Sequence, residues 1–179
     1  MIVITTSRRP SPRTRSFVKD LSSILPSSVR INRGHKSLVE LAVETTKLGA
    51  KYILLVTEKS GNPRGLIIYG VEGMGHYRAV YKRLAILLIK GVKLSRENRE
   101  SSKAYGVSSI SIDYSKCFSD DCFYIADLLV KILGDMVSEK GDLRILLGEN
   151  KYISIQALNI HGKPVGPLVL VEKVIRLQD

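Results

Sequence analysis

Four arginines, Arg8, Arg9, Arg13 and Arg15, crowd the point where the pattern of the chain calls for a helix to begin, with Ser7 just before them. Arg30, Arg33 and Lys36 follow, and Arg78, Lys82 and Arg83 form a second basic group. A guanidinium is a planar fork of donors that matches phosphate, so the chemistry these residues suit is the gripping of a polyanion. Cations at a helix N-terminus are unfavourable by about 0.3–1 kcal/mol each, and the backbone N–H groups there point outward unpaired. The arrangement becomes favourable once an anion sits in it. The plainer alternative is a solvated basic turn beside an ordinary surface helix.

The elements that position these residues can be read from spacing. Ser11 suits an N-cap and Pro12 the first helical position. Phe17, Val18, Leu21, Ile24 and Leu25 then share one apolar face, which predicts a helix over 11–25. Strands are expected at 2–6 and 29–32 on either side of it. Ser37 and Glu40 form a capping box for a second helix that stops at Gly49. Strands at 51–58 and 65–71 enclose a hairpin loop at 60–63, giving the order β-α-β-α-β-β with right-handed crossovers. Residues 77–90 are expected to be a helix, with Val80, Tyr81, Leu84, Leu87 and Leu88 inward and Arg78, Lys82 and Arg83 on or near the other side. This predicts an N-terminal half at 1–92, a charged linker at 93–106 and a C-terminal half at 107–179.

The second half echoes the first. Residues 110–115 lie 108 positions after 2–7, and the same offset places Ser11 on Ser119, Phe17 on Ile125, Leu21 on Leu129, Ile24 on Ile132 and Leu25 on Leu133. Residues 151–153 resemble 51–53, and Gly162, Pro164 and Gly166 resemble Gly61, Pro63 and Gly65 at offset 101. Their shared order predicts a tandem duplication in which the second copy lost one helix. The fold class expected is therefore α/β, with two duplicated halves, each a mixed sheet with packed helices. Pro12 and Arg13 correspond to Asp120 and Asp121, the conventional acidic helix start. The arginines are thus dispensable for the fold, which favours a ligand role.

Charge supports this. The net charge of the 179 residues is +11, and the distribution is uneven. Residues 1–36 carry eight basic and one acidic side chain, and 76–103 carry eight and two, whereas 104–179 carry eight and ten. Such blocks predict a polyanionic partner. No leader or membrane-spanning run is apparent, so a cytoplasmic protein with no membrane partner is expected. Cys117 and Cys122 are expected as buried or half-buried thiols, with a local disulfide as the alternative for a hyperthermophile, and a C-x₄-C pair without histidine is a poor zinc site. His35, His76 and His161 fall in no catalytic or metal-ligand motif, so no enzyme, metal or cofactor is expected. Gly70, Gly73 and Gly75 do not match a dinucleotide or phosphate loop and are read as a strand-to-helix turn. Tyr81 is expected in the core, and Tyr69, Tyr77 and Tyr105 are the remaining candidates for base stacking.

The run Thr5-Thr6-Ser7-Arg8-x-Pro10-Ser11-x-Arg13, then Phe17 and Lys19, then Arg30-x-Asn32-Arg33-Gly34, resembles the Brix-domain proteins of ribosome assembly, and looks closest to the branch acting on small-subunit precursor RNA. Gly61-x-Pro63-x-Gly65-Leu66-Ile67 and Gly166-Pro167 fit as well. The resemblance implies a non-enzymatic factor of archaeal type that binds precursor ribosomal RNA, together with other ribosome assembly proteins. It also implies halves similar to the anticodon-binding domains of class IIa aminoacyl-tRNA synthetases. Two positions depart from the family pattern: Gly73-Met74-Gly75-His76 replaces G-P-T-A, and Leu168-Val169 replaces an Arg-Phe pair. Ser7, Arg8, Arg9, Arg13, Arg15, Arg30, Arg33, Lys36, Arg78, Lys82 and Arg83 are the expected RNA-binding residues. A protein-binding module with a basic face, and an undetected nuclease or nucleotide enzyme, are the competing readings.

Overall fold

The computed structural model describes residues 1–177. The chain runs β1 (Ile2–Thr6), α1 (Pro12–Ile24), β2 (Ser28–Arg30), α2 (Leu38–Lys47), β3 (Tyr52–Lys59), β4 (Asn62–Gly73) and β5 (Ala79–Lys93), then β6 (Ile110–Asp113), α3 (Asp120–Leu133), β7 (Leu143–Glu149), β8 (Ile153–Leu158) and β9 (Pro164–Arg176). The strands form one nine-stranded mixed sheet in the order β2-β1-β3-β4-β5-β9-β8-β7-β6. β1 is buried at all five positions, as expected of a strand flanked on both sides by parallel neighbours.

Local chemistry sets the helices. Ser11 caps α1 by accepting from the Thr14 N–H, Pro12 opens it, and the buried stripe is Thr14, Phe17, Val18, Leu21 and Ile24. The Ser37–Glu40 capping box starts α2. Alternation along β1 and β3 sends these helices to opposite faces. Ile2, Ile4, Leu54 and Val56 share the main core with α1 and α3, while Val3, Ile53, Leu55 and Tyr69 form a smaller core with Leu41 of α2. Ser119 caps α3 by accepting from the Cys122 N–H.

The expected helix at 77–90 is instead strand β5, paired antiparallel with β4 and β9. Its apolar run fits both periods, and in β5 residues 84–89 alternate between half-buried and buried positions. Ala85, Leu87 and Ile89 enter the main core. Gly73 and Gly75 accordingly lie in a β4–β5 hairpin, not a strand-to-helix turn. Val80 and Tyr81, expected inward, are exposed. The segment after β5 is strapped down: Leu94 is fully buried, Ser95 N–H donates to Asp20 and Ser102 bridges to Val165. Sheet and main core continue across it. The β3–β4 turn is tighter than expected, with only Ser60 and Gly61, both at positive φ, between paired Lys59 and Asn62. Cys117 and Cys122 are joined in a disulfide, not free thiols.

The strand order supports only part of the sequence echo. β1-α1 and β6-α3 occupy corresponding places, each strand pairing parallel with its inner neighbour, β3 or β7. The parallel bridge between Ile110 and Val137 stands where β2 stands beside β1. Residues 151–153, however, lie at the β7–β8 turn, whereas 51–53 lead into β3. Gly162 lies between β8 and β9, whereas Gly61 lies between β3 and β4. Those echoes do not correspond in space.

Candidate nucleic-acid interface

The basic residues are presented by the loops leaving β1 and β2, at the end of the sheet where parallel strands finish. Arg9 stands in the β1–α1 loop at φ +54. That left-handed conformation costs an L-residue roughly 1 kcal/mol, and strained backbone of this kind gathers at binding sites. Ser7 anchors the start of the loop, its N–H donating to Val56 O at 2.9 Å.

Between this loop, the outer side of α1 and the β2–α2 loop lies an open groove of about 460 Å³. Arg9, Arg15, Arg30 and Arg33 line it, with His35 and Asn32 between them. Among the described residues, Arg8, Arg9, Arg15, Arg30 and Arg33 have no carboxylate within ion-pair distance. Arg33 Nε donates to Lys36 O at 2.7 Å, which fixes the side chain without neutralising it. Burial, then the charge of Arg8, pushes the Arg33 guanidinium below its ordinary pKa, so its charge is held at a cost that an anion would offset. Arg8 Nη2 reaches His35 O at 3.4 Å.

Tyr69, largely buried in β4, lies on the face of the sheet that packs against α2, with Val3 and Ile53. Arg83 is its direct partner across the β4–β5 ladder, so the two share a face of the sheet. Lys82 is the next residue along the strand and projects to the opposite face. Arg83 is not among the residues lining the groove, and Arg78 sits at the hairpin tip.

Two expectations need correction. Arg13 does not face the groove: its guanidinium is ion-paired with Glu97 and donates to Val92 O at 3.0 Å. The Glu97 bond raises the pKa of Arg13, and the same bond lowers that of Glu97. Nor is the start of α1 an empty anion receptor. Glu58 Oε2 accepts from the Ser11 N–H at 3.0 Å and from the Thr14 hydroxyl. These bonds, Thr14 first, lower the carboxyl pKa of Glu58, which fills the place at the helix tip expected for phosphate. Glu149 does the same at α3, accepting from the Phe118 and Ser119 N–H groups. Lys36, also expected in the site, is paired with Glu44 at 2.9 Å.

No family model matches the chain. Individual proteins do. A probable Brix domain-containing ribosomal biogenesis protein of Pyrobaculum aerophilum is 38% identical over 183 residues, covering 97% of this chain and 94% of that protein. The chain belongs to the Brix domain-containing ribosomal biogenesis proteins. Another member, from Aeropyrum pernix, is 49% identical over 96 residues, which is 54% of this chain and 51% of the relative. A third, from Saccharolobus solfataricus, is 38% identical over 117 residues and is matched over 65% of its length. The chain thus spans about half to two thirds of these two curated relatives. The crystal structure of a probable ribosomal biogenesis protein from Aeropyrum pernix superposes with a TM-score of 0.81 at 34% identity, over 96% of this chain and 95% of that one. An archaeal Imp4-like protein, 22% identical, shares the fold with a TM-score of 0.68, over 98% of this chain and 99% of that one. No helix of the described residues in this Brix-domain chain is long and apolar enough to cross a membrane.

Sequence reasoning missed the partners of Arg13 and the occupant of the α1 tip. Both lie far away along the chain, Glu97 at a separation of 84 residues and Glu58 at 47 from Ser11. It also left out His35, and it named Asn32 in the Arg30-x-Asn32-Arg33-Gly34 run without giving it a place in the site.

Proposed function

We propose that this chain binds precursor ribosomal RNA without catalysing a reaction on it, as a factor in the folding, pairing or assembly of that RNA. One observation carries the reading: Arg9, Arg15, Arg30 and Arg33 converge on a single groove with no carboxylate among the described residues to neutralise them. Arg8 adds charge at one edge. Guanidinium forks and loop N–H groups read phosphate and shape more than base identity. The family membership supports an RNA-rich setting for this surface. We further infer that the matching β1-α1 and β6-α3 units reflect a duplication, with the likeness to synthetase anticodon-binding domains as its broader context.

The test is the salt dependence of binding to a fragment of precursor ribosomal RNA, followed by fluorescence anisotropy. With about five phosphates engaged, the log–log slope should be near −3.5, a loss of roughly a hundredfold in affinity between 50 and 200 mM salt. A slope near zero, or binding unaffected when Arg9 and Arg30 become Ala, would overturn the reading.

A further inference from the structure

The corresponding corner of the other half carries the opposite chemistry. α1 and α3 start alike: a serine cap, Ser11 or Ser119, and a strand-end glutamate, Glu58 or Glu149, accepting from the cap's own N–H. This fixes the spatial correspondence of the two helices. At the exposed positions Pro12, Arg15 and Lys19 of α1, α3 carries Asp120, Phe123 and Asp127, all exposed.

Rings dominate this second corner. Phe118 is 74% exposed, Tyr114 55% and Phe123 41%, and the Tyr114 ring meets the Phe123 ring edge-on at 6.3 Å between centroids. Val130, 46% exposed, continues the same line along the helix. These side chains are not what anchors α3, whose inner face buries Ile125, Ala126, Leu128, Ile132 and Leu133. The backbone beneath the rings is pinned. Phe118 lies between disulfide-bonded Cys117 and the cap Ser119, and its N–H donates to Glu149 at 2.8 Å. An aromatic side chain held outward on an immobile backbone is a preorganised anchor, since little further order is lost when something covers it.

Charge selects the occupant. Asp120 and Asp127 flank Phe123 one turn away on either side, and among the described residues neither has an ion pair. Exposed Lys116 and Lys131 lie at the two ends of the patch, while the helix neighbours of Phe123 at i−3 and i+4 are the two carboxylates, so an arginine over that ring is attracted both by them and by the ring face. We propose that the outer face of α3, with Tyr114 and Phe118, docks a basic amphipathic segment of a partner protein, with Arg or Lys and apolar residues alternating at helical spacing. The surface is distinct from the arginine groove, so the proposal does not depend on the RNA reading.

The experiment titrates the full chain with a synthetic helical peptide bearing Arg and Leu at that spacing, following amide chemical shifts and peptide anisotropy. Saturable binding is expected, with shifts confined to residues 114–131. The double variant Asp120→Lys/Asp127→Lys should weaken it at least about tenfold, as should Phe118→Ser/Phe123→Ser. Arg9→Ala/Arg30→Ala should leave it unchanged, and a peptide with Ser in place of Leu should bind at least about tenfold more weakly. All substituted positions are exposed, and unchanged thermal melts verify that the variants fold. Absence of saturable binding, shifts elsewhere on the protein, or equal binding by the charge-reversed variant would overturn the proposal. So would self-association in sedimentation that the charge reversal abolishes, which would make a second copy of this chain the occupant.

Discussion

Arg13 of α1 and Glu97, just beyond the end of β5, form an ion pair that ties the helix to the segment between β5 and β6, and Arg13 also donates to Val92 O. An arginine that belongs to the basic cluster by sequence is thus a clasp in the fold. With the two side chains 29% and 34% exposed, solvent screens part of the attraction. Arg13→Ala should lower stability by about 1 kcal/mol, or roughly 2–4 °C in thermal melting. The salt slope of RNA binding should stay at the wild-type value. A flatter slope with an unchanged melting temperature would show that Arg13 serves RNA instead.

The unpaired arginines should behave in the opposite way. Arg15→Ala, Arg30→Ala and Arg9→Ala should each reduce the magnitude of the log–log salt slope by about 0.7–0.9, with affinity falling similarly for RNAs of different sequence. Their stability should stay within about 0.5 kcal/mol of wild type, since no intramolecular ion pair is lost. For Arg9→Gly a small gain in stability is expected, because glycine relieves the positive φ. Anisotropy over a salt series, read beside melts of the same samples, checks both halves of the expectation.

What the sequence made legible was local. Ser11 with Pro12, and Ser37 with Glu40, announce their helices because capping is chemistry between residues three apart. Arg9, Arg15, Arg30 and Arg33 could be grouped because short loops keep them together. β5 was not legible, since Val80, Leu84, Leu87 and Leu88 satisfy a helical spacing while the same run alternates as a strand. Only pairing with β4 and β9 decides between them. Nor could charge alone separate Arg13, which meets a carboxylate from a distant part of the chain, from its unpaired neighbours. The 108-residue offset located the cap of α3, but the offset-101 echoes joined turns that do not correspond.

Acid should weaken this fold. Glu58 has its pKa lowered from an ordinary 4.5 by hydrogen bonds from Thr14 and Ser11, and Glu149 is lowered by bonds from Phe118 and Ser119 against the opposing effect of burial. A carboxyl whose folded pKa is depressed contributes stability that is complete above its unfolded pKa and is lost as pH falls through the folded one. Urea midpoints should therefore be level above about pH 5.5 and decline below about pH 4.5. Glu58→Gln should be less stable than wild type at pH 7 and should show a shallower decline. Parallel curves for the two proteins would mean that Glu58 does not contribute to the acid response.

Gly166 tests how α1 is held against β9. It lies in β9 at φ +70, and a Cβ placed there would stand 2.6 Å from Cγ2 of Ile24, near the end of α1. Glycine at this point lets α1 close against β9, where Val165 and Val169 share the main core with Leu21 and Ile24. Gly166→Ala meets two penalties, a strained backbone and an overpacked contact with a buried side chain. Together they should cost about 2–4 kcal/mol. Ile24→Ala in the same chain removes Cγ2 and Cδ1, the two nearest atoms, and should recover part of the loss, although alone it costs about 2–5 kcal/mol. Denaturant unfolding of the four proteins in this cycle gives the coupling directly. A coupling within about 0.3 kcal/mol of zero would show that the close approach of Ile24 is not what requires glycine at this position.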